Sequence, residues 1–275
     1  ILMLCLIFGI ASISAIGSLR GAIDAGLNSN GRVFLGGDAE IELTYRQANA
    51  REVTWMTGQS LAQSKIIDFR SMAVAPATNK RLLTQIKAVD SAYPLVGAVT
   101  LSDGLSLPEA FAGRDGLPGV ILAPALLRRL NVNLGDQVQF GQKLFVVMAT
   151  LLKETDNFGN FALGPRSLVL TKDLEGSGLL AAGTLFSSKY RLILEAGSDL
   201  DRAQQRFDSD WSSTGAKWKD ARKASPGADR VIERMSRFLI LIGLSGLVVG
   251  GIGVSAAVRA FIAKKTGHIA VLKTL

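Results

Sequence analysis

Few residue types that do covalent or acid–base chemistry occur in this chain, and those that do stand far apart. It has one histidine, His268, and one cysteine, Cys5. Zinc sites need three or four clustered ligands, so no Cys/His cluster here can hold zinc. No Gly-x-Ser-x-Gly elbow exposes a nucleophilic serine, and no Gly-x-x-x-x-Gly-Lys-Ser/Thr loop cradles a nucleotide phosphate. The carboxylate pairs Asp199 with Asp201 and Asp208 with Asp210 read as a solvated helix face or its cap. The sequence therefore assigns no catalytic, cofactor-binding or metal-ligating residue, and any ATP-Mg must be handled by a partner.

Three other groups of residues invite a functional reading. Gly246 and Gly250 form a Gly-x-x-x-Gly pair with Gly243 and Gly253 a turn away on either side, which suits close helix packing, static or sliding. Near the end of the chain, Ile269, Leu272 and Leu275 fall on one side of a short helix beside Lys273; such a surface can dock on a protein or lie on lipid headgroups, which Lys264 and Lys265 would favour. A glycine-rich loop over 156–165 carries Phe158 and Phe161, either as a contact for a partner or cargo or folded back on its own domain.

The elements that must position these residues follow from the charge distribution. Residues 1–19 and 238–258 contain no Asp, Glu, Lys or Arg, and each run is long enough to span a bilayer core of about 30 Å as a helix. The tail after the second run has four basic residues and no acid, so the positive-inside bias places it in the cytoplasm and residues 20–237 outside. The chain opens on Ile without a basic leader and stops within an amphipathic pattern at Leu275, so it is expected to be a fragment of a longer protein. Cys5 lies in the first run, so disulfides have no part in the outer domain. Neither run contains a charge that would mark a proton path.

Residues 19–27 continue the first helix, with a stop expected at 28–31. Residues 38–45 alternate strictly, with Ala39, Ile41, Leu43 and Tyr45 on an inner face and Asp38, Glu40, Glu42 and Thr44 on an outer one. A helix over 49–58 turns Val53 and Met56 inward, and extended runs over 65–75 and 81–89 follow. Strands are expected over 119–123, 137–140, 143–152 and 166–170, with a short helix over 124–130. Residues 190–195 read as a strand. Ser198 and Asp201 suggest a capping box for a helix whose Leu200, Ala203, Phe207 and Trp211 share a face, and an edge strand over 217–222 follows. The whole is an α+β layer domain of two strand–helix–strand units around a β-rich insert. Ser225 and Pro226 start a helix of roughly forty residues, or about 60 Å, so its outer third forms a stalk above the membrane.

The run Leu247-Val248-Val249-Gly250-Gly251-Ile252-Gly253-Val254, followed by Ile269-Ala270-Val271-Leu272-Lys273-Thr274-Leu275, resembles the permeases of the MacB/FtsX/lipoprotein-releasing superfamily of ABC transporters. Leu117-Pro118-Gly119-Val120, Leu130-Asn131-Val132, Leu134-Gly135-Asp136 and Leu163-Gly164-Pro165-Arg166 narrow the resemblance to the YbbP-type permeases. It covers essentially the whole chain. It implies transmembrane helix 1 over 1–19, porter-like parts over 20–95 and 187–225, a sabre-like insert over 96–186, a stalk with transmembrane helix 2 over 226–264, and a coupling segment over 265–275. Of four membrane helices per module, only the first two would be present.

The resemblance further implies a multi-pass protein of the bacterial inner membrane with its large domain in the periplasm, and an ABC ATP-binding subunit that receives the surface of His268, Ile269, Val271, Leu272, Lys273 and Leu275. A second permease module or a homodimer partner, membrane lipid, and a periplasmic esterase or thioesterase are the other implied partners. The expected function is ATP-driven movement or extraction of lipid-like or hydrophobic cargo, with hydrolysis in the separate subunit. The alternative is a scaffold that regulates a periplasmic hydrolase without transport. A net charge of +4 over 20–237 gives no reason to expect nucleic acid.

Overall fold

A computed structural model describes residues 30–156, 164–181 and 183–223, together with helical positions at 14, 17–18 and at intervals over 237–263. The chain divides into two units, Asn28–Ser225 and the pair Ile1–Leu27 with Pro226–Leu275.

The larger unit is built on a 10-stranded sheet. Its founding part is two β-α-β units. Strand β1 (Ala39–Thr44) leads through helix α1 (Ala50–Gln59) to β2 (Ala62–Ala75), and β9 (Phe186–Ile193) leads through α4 (Leu200–Trp211) to β10 (Lys217–Asp220). The order β10-β1-β9-β2 seats β9 between β1 and β2, and β1 between β9 and β10. The two units are thus interlocked split β-α-β motifs of the ferredoxin-like kind. Period-two alternation turns Ile41, Leu43, Tyr190 and Leu192 to one face, where they bury Met56 of α1 and Phe207 of α4. Trp55 packs edge-on against Phe207 and Trp211, with centroids 6.1 and 6.4 Å apart.

Residues between β2 and β9 extend the same sheet. Strand β3 (Lys80–Val89) returns from β2 as a hairpin and pairs in parallel with β8 (Arg166–Leu170). Beyond β8 lie β5 (Gly119–Leu122), β7 (Lys143–Glu154) and β4 (Val99–Leu101), while β6 (Gln137–Phe140) pairs with β2 and β7. Helices α2 (Leu107–Ala112) and α3 (Pro124–Leu130) cover this half. Because it is covered on both sides, β2 sends Ile67 and Phe69 into one core with Ile86, Phe140 and Phe145, and Ile66 into another with Val89, Ile121 and Leu168.

Several expectations are corrected. Residues 30–35 are helical where a stop was expected at 28–31; the helix ends at Gly36, whose φ of +76° is the left-handed conformation favoured at helix ends. Tyr45 leaves the inner face of β1, turning at φ +61° to stand 61% exposed, while Glu40, expected outside, is buried. The cap of α4 is Asp199 rather than Ser198: its Oδ1 accepts from the backbone N–H of Asp201 at 2.9 Å and of Arg202 at 3.3 Å. Helix α2 was not anticipated, although Ser106 and Glu109 form a capping box for it.

In the smaller unit the described positions are helical, and Phe238, Leu241, Val248, Ile252 and Ile262 stand exposed. Among the described residues no helix is long and apolar enough to cross a membrane. The two charge-free runs and the stalk, as continuous helices, lie outside the described residues.

Candidate functional site

The face of the sheet opposite α1 and α4 carries a connected set of buried charges. Since Ile41 and Leu43 face the helices, Glu40 and Glu42 point the other way. Register then places Lys219 and Arg191 opposite Glu40, Lys189 opposite Glu42, and Lys87 opposite Asp68. The pairs β10–β1, β1–β9 and β2–β3 set opposite charges face to face, the favourable cross-strand pairing, and Lys189 of β9 reaches Asp68 of β2 on the diagonal. The sheet order from β10 to β3 thus reads base, acid, base, acid, base.

The set closes on a segment distant in sequence. Glu154, at the end of β7, and Asp156, two residues on, bring two carboxylates to the bases of β3, β8 and β9. Lys87 pairs with Glu154 and lies 2.7 Å from Asp156; its ammonium also donates to the Tyr93 hydroxyl at 2.9 Å. Arg191 pairs with Asp156 and reaches Glu40 at 3.3 Å. Arg166 holds the second oxygen of Glu154 at 2.5 Å, and the Tyr93 hydroxyl donates to Asp156 Oδ1 at 2.9 Å. Lys189 with Asp68, and Lys219 with Glu42, extend the chain of pairs at 2.6 Å each. The side chains of Lys87, Glu154 and Asp156 are each only 2% exposed.

Burial by itself would raise the pKa of Asp156, but the Lys87 and Arg191 charges outweigh it and hold the carboxyl well below the usual range. Asp68 is likewise pushed up by burial and pulled lower by Lys189 and Lys87. Burial would lower Lys189, yet Asp68 and Glu40 raise it above the ordinary lysine value. Burial, then the Glu154 and Asp156 charges, raise Tyr93, which stays a neutral donor. Every acid here is matched to a base, so the arrangement offers neither a free general base nor an activated nucleophile. Its consequence is mechanical. Desolvated pairs of this kind add little net stability, but removing one partner strands a buried charge. The geometry therefore fastens the end of β7 to β3, β8 and β9, and through Arg191 to β1.

Phe158 and Phe161, which follow Asp156 in sequence, lie outside the described residues, as do the tail residues His268, Ile269, Val271, Leu272, Lys273 and Leu275 and the helix positions Gly243 and Gly246. Gly250 is buried, and Gly253 is exposed with nothing within 4 Å of where a Cβ would stand. The carboxylate pairs are dispersed: Asp199 caps α4, Asp201 meets Arg222 at 3.0 Å, and Asp210 accepts the Trp55 indole N–H at 2.9 Å. Among the described residues no group of three or more His, Cys, Asp or Glu is placed to hold a metal ion. The sequence reading did not single out Glu40, Lys87, Glu154, Asp156 or Arg191. Their signal was the alternation of acids along 38–42 and of bases along 189–191, which together foretell a charged seam once the strands are paired.

Residues 1–210 match the MacB-like periplasmic core domain. The chain belongs to this family. It is similar to the ABC transporter permease YbbP of Escherichia coli (strain K12), at 25% identity over 283 residues that cover 100% of this chain and 33% of that one. The chain thus spans about a third of the length of this curated relative. Among solved structures, the periplasmic region of MacB from Actinobacillus actinomycetemcomitans is 12% identical, with a TM-score of 0.45 over 74% of this chain and 95% of that one. The extracellular domain of the noncanonic ABC-type transporter YknZ from Gram-positive bacteria is also 12% identical, with a TM-score of 0.44 over 66% of this chain and 100% of that one.

Proposed function

We propose that this chain is part of the permease subunit of an ATP-driven ABC transporter in the bacterial inner membrane. Its domain Asn28–Ser225 stands in the periplasm between two membrane helices, and a separate ATP-binding subunit hydrolyses ATP-Mg. The match to the periplasmic core domain family over residues 1–210 carries this reading. The cargo is lipid-like or hydrophobic, and the domain acts on it by moving. The buried seam supports such a role, because a domain whose halves share one sheet and one set of ion pairs can be displaced as a unit. The segment from His268 to Leu275 is the coupling surface.

Affinity purification of the full-length parent from native membranes, beside Leu272→Arg, tests the reading. An ATP-binding subunit and ATP hydrolysis should accompany the wild type and be lost from the variant. If neither protein brings down an ATPase, the chain is an anchored periplasmic interaction domain instead.

A further inference from the structure

On the charged face of the sheet, between the middle of β2 and the segment that precedes β9, lies an open groove of about 700 Å³, within the size range of small-ligand sites. Its polar floor holds Glu42, Asp68, Arg70, Gln85 and Lys189. Lys189 is engaged by Asp68, and Glu42 by Lys219 and Ser187. Arg70 is exposed and, among the described residues, has no acidic partner; opposite it in register stands Gln85, whose buried side-chain oxygen also lacks a partner. Among the described residues that line the groove it is the one charge without an opposite partner.

Large apolar side chains are exposed on the same face as Arg70. Tyr45 and Leu185 line the groove at 61% and 71% exposure. On the other side, Met72 shares the face of Arg70 two residues along β2, and Leu83 is its cross-strand partner; these are 44% and 47% exposed. From 69 to 89 the sequence has no acidic residue. An exposed apolar patch around a lone cation is complementary to an anion that carries a hydrocarbon chain. An extended peptide has less to gain, because β9 pairs with β2 as far as Phe69 and β6 from Ala73, so among the described residues only Arg70, Ser71 and Met72 lack a strand partner on that side, too short an edge for strand addition.

We infer that this groove binds an anionic amphiphile of the fatty-acid class, its carboxylate on Arg70 and its acyl chain over Tyr45, Leu185, Met72 and Leu83. The inference rests on the proposed hydrophobic cargo and names its chemistry.

The test is titration of the full-length parent in detergent with a long-chain fatty acid bearing a terminal fluorophore. Arg70→Gln should weaken binding about tenfold to a hundredfold, the loss expected for a charge-assisted hydrogen bond. Leu185→Asp should weaken it similarly, whereas the fatty alcohol of equal length should bind wild type and Arg70→Gln alike. Both side chains are exposed, so the thermal midpoint should not change. The proposal is overturned if the fatty acid does not bind, if both variants bind it like the wild type, or if an acidic peptide competes for the groove and the fatty alcohol does not bind. Co-purification of the ATP-binding subunit, measured in the same preparations, should be unaffected by either variant. Its absence together with fatty-acid binding would sink the transporter reading and leave the groove standing.

Discussion

Replacing Asp156 by alanine isolates what the buried seam does. In the wild type, the Asp156 carboxylate accepts from Lys87 and Arg191 and from the Tyr93 hydroxyl. Without it, Lys87 keeps Glu154 and Arg191 keeps Glu40, but three bases on β3, β8 and β9 then face two acids in a site whose side chains are nearly all out of solvent. Stranding one buried charge in this way costs about 3 to 5 kcal/mol, a large part of the 5 to 15 kcal/mol by which a typical domain is stable. The assay is urea unfolding of the purified chain in detergent, followed by the fluorescence of Trp55, Trp211 and Trp218, which all pack in the helix-side core. With a urea dependence of about 1 to 3 kcal/mol per molar, the midpoint should fall by roughly 1 to 5 M. Lys87→Met relieves the imbalance, so the double variant should lose less than the sum of the two single losses. A change under about 1 kcal/mol for Asp156→Ala, or strict additivity in the double variant, would mean that the pairs behave as solvent-screened surface contacts and would refute the reasoning.

The pH dependence should follow from the same groups. The folded-state pKa of Asp156 and Asp68 is depressed, so their contribution is complete above the unfolded value of about 3.9 and is lost as pH falls below it, whereas Lys189, raised in the fold, contributes fully below about 10.4. Thermal midpoints should therefore be nearly level from about pH 5 to 9 and drop below about pH 4; a rise in stability on acidification would contradict the seam. Asp199→Ala should cost about 0.5 to 2 kcal/mol through loss of the α4 cap, while Ser198→Ala should change little, as read by circular dichroism during denaturation. Gly36→Ala should destabilise by more than about 1 kcal/mol, since its φ is +76° and the added methyl would meet the Arg191 guanidinium; an unchanged unfolding midpoint would show that the helix end has slack.

Most strands were legible because each has a local signature. Residues 144–152 are apolar but for Thr150, and Pro76 with Asn79 marks the turn between β2 and β3. The first strand shows the limit of that method. Alternation separates Ile41 and Leu43 from Glu40 and Glu42, but it cannot say that the charged face is covered, because the cover comes from Glu154 and Asp156, more than a hundred residues away in sequence. The parallel pairing of β3 with β8, which joins residues 96–186 to the founding sheet, is equally non-local. Helix α2 escaped for the opposite reason: it is six residues long, with Pro108 in its first turn and Gly113 at its end, so its punctuation hid its period. The groove around Arg70 was invisible until β1, β2, β3 and β9 were assembled.

If the seam ties the strands of 96–186 to the interlocked β-α-β pair, the domain moves as one body. Native-state amide hydrogen exchange on the wild-type chain tests it most directly. The backbone amides of β7 and β8 should exchange at the same opening free energy as those of β1 and β9, and Asp156→Ala should lower all four together. If β7 and β8 open well before β1 and β9 in the wild type, the two parts are separate cooperative units and the seam does not bind them into one.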